Sequence, residues 1–156
     1  MKRCVRPLML LATAACVEAA EPTTFPRQVI PALISATDLD LEPGETSTLT
    51  LTITNTLEED VELVFPTSCQ ALIFIRSAGG RVFTPENGTY ECAAVPSLLP
   101  LAAGDSAQFS MEWGGGIEFG PAGSSPRVPP GTYYAYGEMR ADNYHAIAFP
   151  ITIVVR

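Results

Sequence analysis

The sequence predicts an all-β, immunoglobulin-like β-sandwich of about seven to nine antiparallel strands. Three observations predict it. Apolar and polar residues alternate with period two in one segment after another. No 3.6-residue periodicity persists for ten residues beyond the N-terminal stretch, and 14 prolines and 12 glycines punctuate the alternating runs. Period two puts apolar side chains on one face of a pleated strand, and Pro/Gly punctuation marks frequent turns, as a sandwich requires.

The elements follow in chain order. Thr48 to Thr54 alternates strictly, with Thr on one face and Leu49, Leu51 and Ile53 on the other. Val61, Leu63 and Phe65 repeat the pattern after the acidic turn Glu58-Glu59-Asp60. Leu72 to Ile75 is wholly apolar and predicts a core strand, with Ala78-Gly79-Gly80-Arg81 turning it into a hairpin with Val82-Phe83-Thr84. Phe109, Met111 and Trp113 alternate with Ser110 and Glu112, which places Trp113 on the core side. Tyr133, Ala135, Gly137 and Met139 face the core while Tyr134, Tyr136 and Arg140 face outward. Phe149, Ile151, Ile153 and Val155 share one face of the last strand, and Pro150 marks an edge or a bulge there. Leu41 to Glu45, Leu101 to Asp105 and Val128 to Tyr133 each join a hydrophobic anchor to a Gly-containing turn and a strand.

Charge and composition exclude several classes. Nine Lys+Arg against 17 Asp+Glu give −8. Taking away Lys2, Arg3 and Arg6 of the N-terminal stretch leaves six basic residues against 17 acidic ones, a balance of −11. So acidic a domain repels phosphate backbones, and nucleic acid is not an expected partner. No run reaches the roughly 18–20 apolar residues of a membrane span. The start reads as an export leader: Met1 to Arg6 is a positive segment and Pro7 to Ala15 a short apolar one. Two processing routes stay open. Leu11 to Cys16 resembles a bacterial lipobox, in which Cys16 is lipidated after a 1–15 signal, although Thr13 stands where that motif usually has Leu. Val17 and Ala19 suit ordinary cleavage after a 1–19 signal. A tether over 20–26 and one domain over 27–156 follow, in a periplasmic or extracellular location. Membrane contact is expected only through a lipid on Cys16.

With Cys4 in the leader and Cys16 a lipid site, Cys69 and Cys92 remain as a disulfide pair. Closing about 24 residues contributes on the order of 3 kcal/mol. No metal site is expected, because His145 is the sole histidine and no CxxC spacing occurs. No cofactor is expected either. The same histidine leaves a hydrolytic triad without a base beside its nucleophile, so no catalytic residue is assigned and the chain does not read as an enzyme. Asp142 to His145 reads as a hairpin turn carrying a solvated histidine. Asp38, Asp40 and Glu42 alternate along one strand face and read as edge charge.

The candidate binding element is Gly114 to Pro130, 17 residues against the few of a usual hairpin connection. Gly114 to Gly116 predicts flexibility, whereas Ser125 to Pro130 predicts a stiff, extended run presenting Arg127 and Val128 to a proteinase cleft. Ile117 and Phe119 are its apolar anchors, to be held by a partner or folded back onto the sandwich.

Several fragments, in this order, resemble the BsuPI family. They are Thr52 to Asn55, Phe65 to Gln70, Leu101 to Asp105, Glu112-Trp113 and Pro129 to Tyr133. The resemblance implies an immunoglobulin-like sandwich and, for the member that gives the family its name, inhibition of an intracellular serine proteinase. An export leader and a Cys69–Cys92 disulfide depart from that pattern, and the family's aromatic cluster is reduced here to Phe83 and Tyr90. The expected function is an exported binding domain with a protein partner, a proteinase in the specific version. The other reading is a structural or adhesive envelope domain.

Overall fold

The computed structural model describes residues 28–156. The leader, Cys16 and the tether lie outside the described residues. Twelve strands follow one another: β1 (Gln28–Val29), β2 (Ala32–Ala36), β3 (Asp40–Leu41), β4 (Ser47–Thr54), β5 (Val61–Phe65), β6 (Ala71–Ser77), β7 (Val82–Thr84), β8 (Ser97–Leu101), β9 (Ser106–Trp113), β10 (Gly131–Met139), β11 (Tyr144–Ile147) and β12 (Ile151–Val155). A 3-10 turn at Glu86–Gly88 follows β7.

Two sheets face each other in an immunoglobulin-like β-sandwich. One has the order β2-β4-β9. The other centres on β10, with β6 and then β7 on one side and β11 and β12 on the other. A separate two-stranded antiparallel ribbon pairs β5 with β8. Strand pairing is antiparallel except for β1 with β11 and β3 with β12, and isolated parallel bridges join Leu33 to Phe149 and Trp113 to Gly120.

The strict Thr/apolar alternation of β4 is realised in full. Leu49, Leu51 and Ile53 are completely buried, while Thr50 and Thr54 bond Ser110 and Ser106 across the outer face at 2.9 and 2.8 Å. Gly137 occupies an inward position of β10 because a Cβ there would lie 2.7 Å from Leu51 Cδ1. Its missing side chain lets the sheets approach. The core divides in two. One part surrounds Trp113, Tyr133, Ile73 and Ile75; the other gathers Phe65, Leu63, Ile53 and Met139.

Two expectations are corrected. Pro150 does more than mark an edge: it divides the last strand into β11 and β12, and Phe149 beside it is 90% exposed rather than aligned with buried Ile153. His145 lies within β11, not in the preceding turn, and its carbonyl accepts the Ile30 N–H at 3.0 Å. Asp40 is engaged by Arg156 at 2.7 Å, which ties β3 to the C-terminus and holds that carboxyl below its usual range. No group of three metal-ligating side chains occurs among the described residues.

Cys69 and Cys92 are joined, with Cα atoms 5.4 Å apart. The bond clips the β7–β8 loop to the segment between β5 and β6, where Ser68 N–H also donates to Ala93 O at 2.9 Å. Cross-linking across 23 positions restricts the unfolded chain. The Cys69→Ser/Cys92→Ser variant should therefore lose about 3 kcal/mol of stability, read by urea unfolding. A reductant should lower the wild-type midpoint and leave that of the variant unmoved.

Candidate functional site at the mouth between the sheets

Among the described residues the sandwich is open on one side, because β6 carries only the three-residue β7 and β9 carries no further strand. Two loops meet over this mouth. The first, residues 85–96, brings in Tyr90. Its hydroxyl donates to Ile73 O, accepts the Ile73 N–H at 3.2 Å, and thereby satisfies a rung of β6 that β7 is too short to reach. Burial pushes the Tyr90 hydroxyl pKa upward, with Glu118 adding to the effect, so the phenol stays protonated and able to donate. Its ring meets Phe74 edge-on at 5.5 Å and stacks with Phe119 at 6.3 Å.

The second loop is the long 114–130 segment, and it is compact rather than floppy. Gly114 to Gly116 are all buried. A Cβ on Gly114 would sit 2.3 Å from the backbone of Ala122, and one on Gly116 would sit 2.2 Å from Ser125 Oγ. These glycines serve close packing, which corrects the expectation of a flexible start. The loop doubles back on itself: Ile117 N–H donates to Pro126 O at 2.9 Å and Val128 N–H to Gly115 O at 2.8 Å. Trp113 locks it from below, its Nε1 donating to Gly116 O at 2.8 Å.

The four anticipated loop residues therefore separate. Phe119 reaches the mouth, and Ile117 lines a neighbouring groove beside Phe83, both while packing on the Trp113 core. Arg127 does not stand out into solvent. It turns inward, with Nη2 donating to Leu41 O at 3.0 Å and Arg156 O at 3.2 Å. Val128 is a core residue, 1% exposed. Within the 125–130 run, the Gly116–Arg127 bridge and the Pro126 carbonyl and Val128 amide bonds hold the backbone against the start of the loop, and these two side chains lie on the sandwich.

Between the loops lies a cleft of about 810 Å³. Its floor is apolar, from Pro85, Tyr90, Met111 and Phe119; Glu86, Glu91 and Glu118 stand around it. Glu118 Oε1 also accepts the Glu86 N–H at 3.3 Å, which links the two loops. No ion pair involves these three carboxylates among the described residues. Such a site can take an apolar or aromatic group and, beside it, a cation. A second cleft, of about 450 Å³, lies behind Tyr90 against the disulfide, Leu72 and Phe74. Sequence reasoning had named Tyr90 only as an aromatic remnant and missed Glu118 and Met111. The signal available was Tyr90 lying two residues before Cys92, on a loop whose end the disulfide pins.

The pattern of the BsuPI family, described as an intracellular proteinase inhibitor, matches residues 36–144, well over half of the chain. The chain belongs to this family. The matched stretch of the BsuPI domain includes both loops of the mouth and every strand from β3 to β10. No curated protein sequence matches the chain. Among solved structures it is similar to the alkylpurine DNA glycosylase AlkC of Pseudomonas fluorescens, with 14% identity, a TM-score of 0.46, and 81% of this chain and 30% of that one covered. It is also similar to a β-glucosidase of Erythrobacter marinus (14%, TM-score 0.46, 80% and 15% covered). A third is the CARDB domain of a Pyrococcus furiosus protein (10%, TM-score 0.42, 87% and 98% covered). The chain spans less than a third of the length of the first two, and these distant likenesses bear on no functional point.

Proposed function

We propose that this BsuPI domain is an exported proteinase-binding module of the inhibitor type, acting through the loops at the mouth of the sandwich. Family membership over residues 36–144 carries the reading. Inhibitors bind rather than transform their partners, and an apolar cleft with a polar rim suits a protein partner. The Cys69–Cys92 disulfide supports work in an oxidising compartment, in keeping with the leader and with either processing route, lipidated Cys16 or ordinary cleavage. The proteinase met there is then an exported one rather than an intracellular one.

Arg127 acts in this reading by holding the loop, and Phe119 by touching the partner. The test titrates the protein against a panel of secreted serine proteinases with small chromogenic substrates. Stoichiometric loss of activity is expected, with Phe119→Ala weakening inhibition by about tenfold or more while far-UV circular dichroism shows the variant still folded. Arg127→Ala should lower the unfolding midpoint and weaken inhibition only as the loop loosens. Abolition of inhibition by Arg127→Ala at wild-type stability would instead make Arg127 the contact. If no proteinase in the panel is slowed, the structural envelope reading replaces this one. Intact mass of the mature protein reports which N-terminal route operates.

A further inference from the structure

We infer that the free edge of β9 is a β-augmentation site that accepts an extended, lysine- or arginine-bearing segment of a partner protein. The inference rests on the reading of the domain as a protein-binding module and supplies its mode of contact.

The hydrogen-bond parity of β9 follows from its neighbours. Thr37 N–H donates to Thr48 O and Thr54 N–H to Pro31 O, so the even positions of β4 bond towards β2 and the odd ones towards β9. In the register Leu49↔Met111 and Leu51↔Phe109, the odd positions of β9 are then the ones bonded to β4. The amides and carbonyls of the even positions, Gln108, Ser110 and Glu112, point away from β4. Gly120 covers one end of this row, its N–H donating to Glu112 O at 2.8 Å. Gln108 and Ser110 have no backbone partner on that side among the described residues. Such a row is a template for a further strand.

Burial agrees. Leu49, Leu51 and Ile53 of β4 are fully buried, yet Ala107, Phe109 and Met111 on the same inner face of β9 are only partly covered. A strand laid along β9 would cover them, since its alternate side chains point into the cleft floored by Tyr90 and Phe119. Charge selects the occupant. Among the described residues no cation pairs with Glu86, Glu91 or Glu118 at that cleft, so alternate Lys or Arg side chains would be paired there. A second copy of this chain would bring its own glutamates, Glu112 of β9 included, to the same place and be repelled.

The experiment measures fluorescence anisotropy of a labelled ten-residue peptide alternating Lys and Val, with a peptide alternating Glu and Val beside it. Saturable binding of the Lys peptide is expected, weakened several-fold from low salt to about 0.15 M, and none of the Glu peptide. Gln108→Pro removes an N–H that faces solvent and leaves pairing with β4 in place, so binding should fall about tenfold or more while far-UV circular dichroism is retained. Should that variant misfold, N-methylation of alternate peptide residues removes the same ladder bonds with the protein untouched and should have the same effect. The Glu91→Gln/Glu118→Gln variant should lose the preference for lysine. Equal binding of both peptides, or indifference to both Gln108→Pro and N-methylation, overturns the inference. So does a dimer in size exclusion that Gln108→Pro dissociates, which would make the occupant a second copy. Proteinase inhibition is measured on the same samples: inhibition without peptide binding sinks this inference and leaves the inhibitor reading standing, and peptide binding without inhibition does the reverse.

Discussion

Trp113→Ala is expected to lower folding free energy by about 3–5 kcal/mol and to release the loop that carries Phe119. Trp113 is completely buried and packs edge-on to Tyr133 at 6.3 Å between ring centres. Its removal leaves a cavity where the two sheets meet, and the surroundings relax only partly. The polar end of the ring matters separately. Nε1 donates to Gly116 O at 2.8 Å and lies 3.2 Å from Thr84 Oγ1, which itself donates to Gly116 O at 2.6 Å. One carbonyl thus joins β9, the end of β7 and the long loop. Trp113→Phe keeps most of the apolar area and leaves Thr84 on that carbonyl, so it should cost about 1–2 kcal/mol from the lost bond and a small void. Urea unfolding followed by far-UV circular dichroism separates the two variants. Fluorescence does not serve, because Trp113 is the sole tryptophan. A loss below about 1 kcal/mol for Trp113→Ala would show that the loop and the core are held by other contacts.

Asn55→Asp, a change of almost no volume, is expected to cost about 3–5 kcal/mol at neutral pH. Asn55 is completely buried at the end of β4. Its Nδ2 donates towards Glu59 O (2.8 Å), Leu101 O (3.0 Å) and Ala102 O (3.1 Å), while Oδ1 accepts the Leu57 N–H at 3.0 Å. One side chain therefore holds the β4–β5 turn and the β8–β9 turn together. A carboxyl in its place turns an oxygen towards three carbonyl oxygens. Ionised, it is a buried charge among acceptors; protonated, it has one hydrogen to offer. Both effects raise its folded-state pKa above the roughly 3.9 of an unfolded aspartate. Such a group is tolerated best below that unfolded value and increasingly penalised as pH rises towards the folded one. The deficit relative to wild type should accordingly shrink in acid and grow towards neutrality, measured as urea midpoints from about pH 3.5 to 7. A deficit flat across that range would mean that the introduced carboxyl reaches solvent.

The wholly apolar run Leu72 to Ile75 located β6, which is buried on both faces. The period-two pattern was sufficient to locate β4, β5, β9 and β10 with their inner faces, because any strand with one buried face must alternate. It placed Trp113 and Tyr133 in the core and paired Cys69 with Cys92. It failed where the side chain's fate depends on what lies across the sandwich. Gly114 to Gly116 look the same in sequence whether they are loose or closely packed; the approach of Ala122 and Ser125 decides. Arg127 looked exposed because it stands in a Pro-rich run, yet the backbone carbonyls of Leu41 and Arg156 accept its guanidinium and draw it in. Phe149 looked like a core residue by spacing, and the strand break at Pro150 turned it outward. Tyr90, Glu118 and Met111 are far apart in the chain, and no local pattern announces that they share one cleft.

The sequence alone determined that this protein is a β-sandwich with a disulfide, acidic, and of the BsuPI type, since alternation, composition and ordered turn motifs are local properties of the chain. Only the tertiary structure decided which edges stay open and which loop residues reach the surface. Those outcomes depend on non-local pairing: β6 exceeds β7 in length, no further strand among the described residues pairs with the outer edge of β9, and the two loops must fill the gap that this mismatch leaves.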